Sequence, residues 1–238
     1  MTRHEQNIKF LAIGTGSLAC AVTQQARALS IQDFFNKVSV DAQPAAVELA
    51  LTTEAFRNRE IGNYAQVSCL AEKLIPTEKG IQPKGFRDLH KALMDSQDPT
   101  TETVEFRILQ FIQSLCPATN VEQGATFRPL PVREFFVWFE DRNASKTQNN
   151  INMIDALNVP LSTQALRVKD AGDQVQGQCI ADEFTTRTVN GQPVFPAGLK
   201  ELGKKVGLLH DSATESVEGQ ILGVMHATCG QEKTRPRE

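Results

Sequence analysis

Apolar residues recur at helical spacing along much of the chain. Phe86, Leu89, Leu93 and Met94 follow the i, i+3, i+7, i+8 stripe of an amphipathic helix. Val104, Ile108, Leu109, Phe111, Ile112 and Leu115 form a broader stripe, which predicts a well-buried helix. Ile61, Ala65 and Cys69 share a face of a shorter run that Pro76 ends. Ile31–Val38, with its Phe34-Phe35 pair, reads as a short first helix. Start signals agree with this pattern. Ser212-x-x-Glu215 has the form of a capping box, and Asp98-Pro99 offers a cap followed by proline at the first helical position. Strand signals are weak. The best, Gln192–Pro196, has two prolines against it. The fold class this implies is all-α.

The same pattern occurs twice. Shifted by 110 residues, Leu51–Leu74 falls on Leu161–Phe184, with identities that include Thr53/Thr163, Arg57/Arg167, Gly62/Gly172, Gln66/Gln176 and Cys69/Cys179. A three-residue insertion then moves the offset to 113, and Gly85–Cys116 falls on Gly198–Cys229. Upstream, Asp33-Phe34-Phe35 matches Glu134-Phe135-Phe136 at an offset of 101. The second copy therefore carries about nine extra residues, which the polar stretch Glu140–Asn150 would hold as a surface loop. The expected architecture is two tandem homologous helical units, residues 29–118 and 131–230, each with about four helices. Residues 119–130 would link them, and the charged tail 231–238 would fray.

The N-terminus departs from that pattern. Arg3 and Lys9 precede a 13-residue apolar run, Phe10–Val22, and Ala26-Arg27-Ala28 comes after it. A basic start, a short apolar core and small residues at a cleavage site predict a secretory signal peptide over residues 1–28, cut after Ala28 or after Ala21. The run is too short to span a membrane, which takes about 20 residues. Lipidation at Cys20 is the competing fate, but Ser17 stands where that signal carries leucine. Cleavage removes Cys20 and leaves Cys69, Cys116, Cys179 and Cys229, an even set suited to an oxidising compartment. Four cysteines allow three pairings. Duplication favours one bridge within each unit, Cys69–Cys116 and Cys179–Cys229, with a domain-swapped arrangement as the alternative. The expected location is periplasmic or extracellular.

Composition narrows the function without naming it. With 40% hydrophobic and 22% charged residues the chain is globular, and a formal charge of −3 gives no basic footprint for nucleic acid. Gly-x-Ser-x-Gly is absent, and so is any Cys-x-x-Cys pair. Gly14-Thr15-Gly16 begins a dinucleotide-like pattern but lies inside the signal peptide. His90, His210 and His226 are each present in one copy only and lack the spacing of a helical metal pair, so neither a metal nor a cofactor is expected. Glu102 and Glu105 match Glu215 and Glu218, a duplicated acidic pair that reads as helix-dipole and capping charge before it reads as acid–base chemistry. Arg57 with Glu60, and Arg167 with Asp170, read as exposed i, i+3 ion pairs of a few tenths of a kcal/mol. Phe135, Phe136, Trp138 and Phe139 form an aromatic cluster, either core or, where exposed, the first interface candidate. Asn143-Ala144-Ser145 is a glycosylation acceptor only in a eukaryotic secretory pathway.

Each unit resembles the type VI amidase immunity proteins, the Tai family. The resemblance rests on a glycine-containing entry to a helix, a break at Asp or Pro, and a last helix ending in Cys. These are Gly80-Ile81-Gln82-Pro83, Phe86–Met94, Asp98-Pro99 and Val104–Cys116 in the first unit. In the second they are Gly191-Gln192-Pro193, Leu199–Val206, Asp211 and Val217–Cys229. The match covers about half of each unit, and the tandem arrangement and the lack of a proline before the terminal Cys depart from it. It implies periplasmic binding to a partner protein. The expected function is thus an exported, noncatalytic helical protein that binds a protein partner, in the manner of an inhibitor or immunity protein. A carrier of a small apolar ligand is the alternative, and an enzyme with a site in a unit-specific loop, built on His210, His226 and a carboxylate, is the third reading.

Overall fold

Two helices that show no clear amphipathic stripe lie at the centre of the molecule. In the computed structural model, which describes residues 43–77, 81–95, 103–117, 128–140, 146–189 and 192–231, these are α1 (Gln43–Glu60) and α6 (Lys146–Asp170). Ala45, Ala46, Val47, Leu49, Ala50, Leu51 and Ala55 of α1 are buried together with Thr52, Thr53, Glu54, Arg57 and Asn58. A helix enclosed on all sides need not segregate its polar residues onto one face. Its hydroxyls bond back to its own turns instead: Thr53 Oγ1 donates to the Leu49 carbonyl (2.7 Å) and Thr163 Oγ1 to the Val159 carbonyl (2.8 Å). The alanines let α1 approach α6 closely, and the two helices pack along each other.

Seven further helices surround this pair among the described residues: α2 (Tyr64–Lys73), α3 (Lys84–Met94), α4 (Val104–Leu115), α5 (Val132–Glu140), α7 (Gln174–Phe184), α8 (Ala197–Leu208) and α9 (Val217–Cys229). The chain is mostly helical, as the spacing predicts. Packing in the two halves is reciprocal. Helices α2, α3 and α4 contact one another, as do α7, α8 and α9. Across the middle, α4 packs on α6 while α9 packs on α1. Buried apolar residues from Ala46 to Cys116 and from Val132 to Met225 form one core cluster, so the halves share an interior.

Local signals recur at matched positions. Both α1 and α6 end in a Schellman turn. Gly62 (φ 76°) donates to the Arg59 carbonyl and Asn63 to that of Asn58, while Gly172 (φ 97°) donates to Lys169 and Asp173 to Val168. Asn63 then caps α2 and Asp173 caps α7. Gly85 and Gly198 each sit where an added Cβ would fall within 3 Å of a backbone carbonyl, that of Lys73 or of Glu183.

Several expectations need correction. Helix α9 starts at Val217 and is capped by Ser216, so Ser212–Glu215 forms a turn ahead of the helix. Thr103 caps α4 in the same way, and Asp98-Pro99 lies outside the described residues. Ile61 sits in the Schellman turn, 39% exposed, off the face that Cys69 shares. Met94 is 56% exposed, because α3 ends there and Leu93 completes the buried stripe. Lys146–Asn150 belongs to α6, so only residues 141–145 lie between α5 and α6.

The weakly signalled strand does form. Arg187–Val189 (β1) pairs antiparallel with Gln192–Val194 (β2), with Pro193 opposite Thr188. In the first half, the Thr77 amide donates to the Ile81 carbonyl (3.1 Å) at the positions matching the Arg187–Val194 pair. Arg187–Val194 is three residues longer than Thr77–Ile81. The expected signal segment 1–28 with Cys20, the expected Ile31–Val38 helix with Asp33-Phe34-Phe35, Glu102, most of residues 119–130, Asn143–Ser145 and nearly all of residues 231–238 lie outside the described residues.

Candidate functional site

The residues just before α5 run alongside the start of α9 and are tied to it. The Val132 amide donates to the Glu215 carbonyl (2.8 Å), Arg133 to Ser212 (3.0 Å), and the Val217 amide to the Leu130 carbonyl (3.0 Å). Pro131 and Ser216 thereby form an isolated antiparallel bridge. The segment 128–131 is held across from α1 and the end of α2. Between them lies a cleft of about 380 Å³, lined by Glu48 and Thr52 of α1, by Ala71, Ile75, Pro76 and Thr77, and by Arg128, Pro129, Leu130, Pro131 and Glu134. Prolines on both walls hold their backbone at fixed φ. Arg128 pairs with Glu134 at 2.8 Å on the rim. Acids, hydroxyls and apolar side chains all contribute to the lining, a mix suited to a ligand with both polar and apolar groups.

Behind the cleft wall stands Glu218, fully buried. Its two carboxylate oxygens accept from the Leu130 amide, each at 3.1 Å. The Thr52 hydroxyl of α1 donates to the Leu49 carbonyl (3.2 Å). Burial pushes the Glu218 carboxyl above the ordinary range, and the nearby Thr52 hydroxyl, the bonds from its own amide and Leu130, and the Arg59 charge offset this only in part. Glu105, at the matching position, is equally buried. Of the duplicated acids, Glu105 and Glu218 are therefore interior groups while Glu215 is exposed, and Glu218 does more than complement a helix dipole.

A second buried polar group lies between α1 and α6. Glu54 accepts from Arg57 Nη2 (2.7 Å), from Asn58 Nδ2 (3.1 Å) and, across the helix pair, from Gln164 Nε2 (2.8 Å). Arg167 Nε lies 3.3 Å from the same carboxylate and donates to Gln164 Oε1 (3.0 Å). Burial alone would raise the Glu54 carboxyl, but the Arg57 and Arg167 charges and the bonds from Arg57 and Gln164 outweigh it and hold it below its ordinary value. This corrects the exposed pairs expected with Glu60 and Asp170: both arginines reach a buried carboxylate near the middle of the fold, while Glu60 and Asp170 are exposed. Glu54 and Gln164 are themselves matched at the 110-residue offset. That signal is present in the sequence, but it is masked because the two residues differ in charge.

The remaining candidates disperse. Cys69–Cys116 and Cys179–Cys229 are disulfides within each half, with Cα atoms 5.6 and 5.7 Å apart. Gln66 Nε2 reinforces the first by donating to the Cys116 carbonyl, and Gln176 Nε2 the second by donating to that of Gly230. Phe135, an interface candidate from the sequence, is completely buried and packs edge-on against Phe136, so it belongs to the core. Phe136 is half-buried and meets the His210 ring at 4.4 Å. The Trp138 and Phe139 side chains lie outside the described residues. His210 bonds Asp211 (3.0 Å) at the surface, His226 is in the last turn of α9, and burial lowers the pKa of His90 on α3. Among the described residues no three His, Cys, Asp or Glu side chains converge as a metal site, and no helix is long and apolar enough to cross a membrane.

Fold and site together define a mostly helical protein with two disulfides, a shared core and a cleft of about 380 Å³ with a mixed polar and apolar lining. No protein-family model, curated protein or solved structure matches the chain.

Proposed function

We propose that this is an exported, noncatalytic binding protein, built by tandem duplication of one helical unit, which holds a segment of a partner protein in the cleft between α1, α2 and residues 128–134. The cleft carries the reading. It has a volume of about 380 Å³, proline-stiffened walls and acids on both sides, Glu48 and Glu134, around the Arg128 pair. A rigid opening loses little entropy on binding. With Arg128 paired to Glu134, the lining carries two acids against one base, a net charge that favours a partner segment presenting a basic side chain. Two disulfides are in keeping with an oxidising compartment and with removal of residues 1–28, which would leave no odd cysteine. The matched Schellman turns, caps and bridges support the duplication. The resemblance of each half to Tai immunity proteins points toward the same kind of role, binding in the periplasm.

The test is capture from the native periplasmic or secreted fraction by the oxidised protein, run beside a Glu48→Lys, Glu134→Lys variant. A stoichiometric protein held by the wild type and lost by the variant, with unchanged helical content, is the expected result. A partner kept equally by both would move the binding surface off the cleft. A small apolar molecule released on denaturation, with no protein bound, would replace this reading with the carrier.

A further inference from the structure

Glu218 is a costly residue in its position. A carboxylate removed from water loses free energy of hydration that its surroundings must restore. Here they do so incompletely: burial outweighs the nearby Thr52 hydroxyl and the bonds from its own amide and from Leu130. The charged side chain acting on it is Arg59 of α1. The charged residues of α8 (Lys200, Glu201, Lys204 and Lys205) are exposed, and α7 meets α9 at the far end, through Cys179–Cys229 and the Gln176 bond to Gly230. A group whose folded pKa lies above its unfolded value weakens the fold at neutral pH, and that cost disappears only as pH falls below the unfolded value.

What the carboxylate does locally is specific. Both oxygens accept from the Leu130 amide, and Glu218 stands in the first turn of α9, which packs on α1. Leu130 and Thr52 line opposite walls of the cleft. We propose that Glu218 is a positioning residue for the cleft: it ties segment 128–130 to the start of α9, which packs on α1 behind the cleft, and so sets how far apart the two walls stand. This rests on the binding reading and deepens it, since it names the group that holds the cleft in shape. The rest of the segment does not depend on it. Val132 is bonded to Glu215, and the Leu130 carbonyl to Val217, without Glu218.

That separation supplies the test. Amide exchange and chemical shifts are compared between the oxidised full chain and Glu218→Gln, which keeps the volume and removes the charge. Charge-assisted bonds are roughly twice as strong as neutral ones, so Leu130 amide protection should fall about tenfold. Val132, whose bond is independent, and Val168, inside α6, should keep theirs. Amide shifts of Ala71 and Ile75, across the cleft, should move with Leu130. The proposal is overturned if Leu130 keeps its protection, if Val132 and Val168 lose theirs in equal measure, or if the shifts across the cleft stay in place. Because every readout is intramolecular, failure here is distinct from failure of the partner capture.

Discussion

Residues 54 and 164 hold matched places on α1 and α6, and they face each other across the middle of the fold at 2.8 Å. One is Glu and the other is Gln. Around them the halves agree closely. Arg57 and Arg167 stand three residues later, each bonded to the residue at its own i−3 position. A symmetric pair could not be built this way. Two glutamates at this distance would repel, whereas two glutamines would leave a pair of buried guanidiniums with no carboxylate between them. Glu opposite Gln gives donor to acceptor and one carboxylate for two arginines. Two identical chains related by a twofold axis meet themselves at that axis and must use the same residue twice. A single chain carrying both halves is free to differ there.

The largest expected effect attacks that contact. Glu54→Gln removes the carboxylate that both guanidiniums share and should destabilise the protein by about 3–5 kcal/mol, measured by urea unfolding of the oxidised chain. The linkage sign is definite. Because the folded pKa of Glu54 is depressed, its contribution is present above the ordinary carboxylate range and lost as pH falls through the folded value, so the gap between wild type and variant should narrow in acid. The sharper experiment adds Gln164→Glu to Glu54→Gln. If the halves are equivalent about this contact, the swapped network is its mirror image and most of the lost stability returns. A double variant no better than Glu54→Gln would break the equivalence.

The disulfides compare the halves at a position where they agree. Each ties the helix that follows the central one in its half, α2 or α7, to the end of the last, closing 47 residues in one case and 50 in the other. Chain-entropy reasoning assigns each bridge about 4 kcal/mol, with almost no difference between two such loops. Replacing Cys69 and Cys116 by Ser should therefore cost nearly what replacing Cys179 and Cys229 costs. A gap larger than about 1 kcal/mol in urea unfolding would mean that the hairpin β1–β2, present only in the second half among the described residues, alters how that half depends on its staple.

These contrasts also show what the sequence can reveal. Helices α3 and α4 show an apolar face and are legible from their stripes, and α9 is legible from its match to the α4 segment. The cysteine pairing follows from the matched spacing. Helices α1 and α6 are not, because burial on all sides lets Thr53, Glu54, Thr163 and Gln164 lie inside without a polar face to mark them. The hairpin is obscured by Pro193, which a short exposed two-stranded ribbon tolerates. The cleft has no local signature at all. Its walls come from α1, from the end of α2 and from the segment before α5, about fifty residues further on, and only the packing of α9 on α1 brings Glu218 behind them.

The smallest effect asks whether the halves agree in their turns as they do in their staples. Gly62 and Gly172 both stand at positive φ, where a side chain strains the backbone. Nothing lies within 4 Å of a Cβ added at Gly62, so Gly62→Ala should report the backbone cost alone, about 1 kcal/mol. Gly172→Ala, in a turn with the same hydrogen bonds, should cost about the same. The two turns differ in the capping residue: Asn63 caps α2 at 3.5 Å, and Asp173 caps α7 at 3.0 Å. An anionic cap interacts favourably with a helix N-terminus and holds its turn more firmly. If one variant proves worse, it should be Gly172→Ala, because strain there cannot relax without weakening the shorter, charged cap. Thermal unfolding of both variants side by side resolves a difference of that size. A larger loss at Gly62 would reverse the ranking and show that the caps do not govern how the two turns respond.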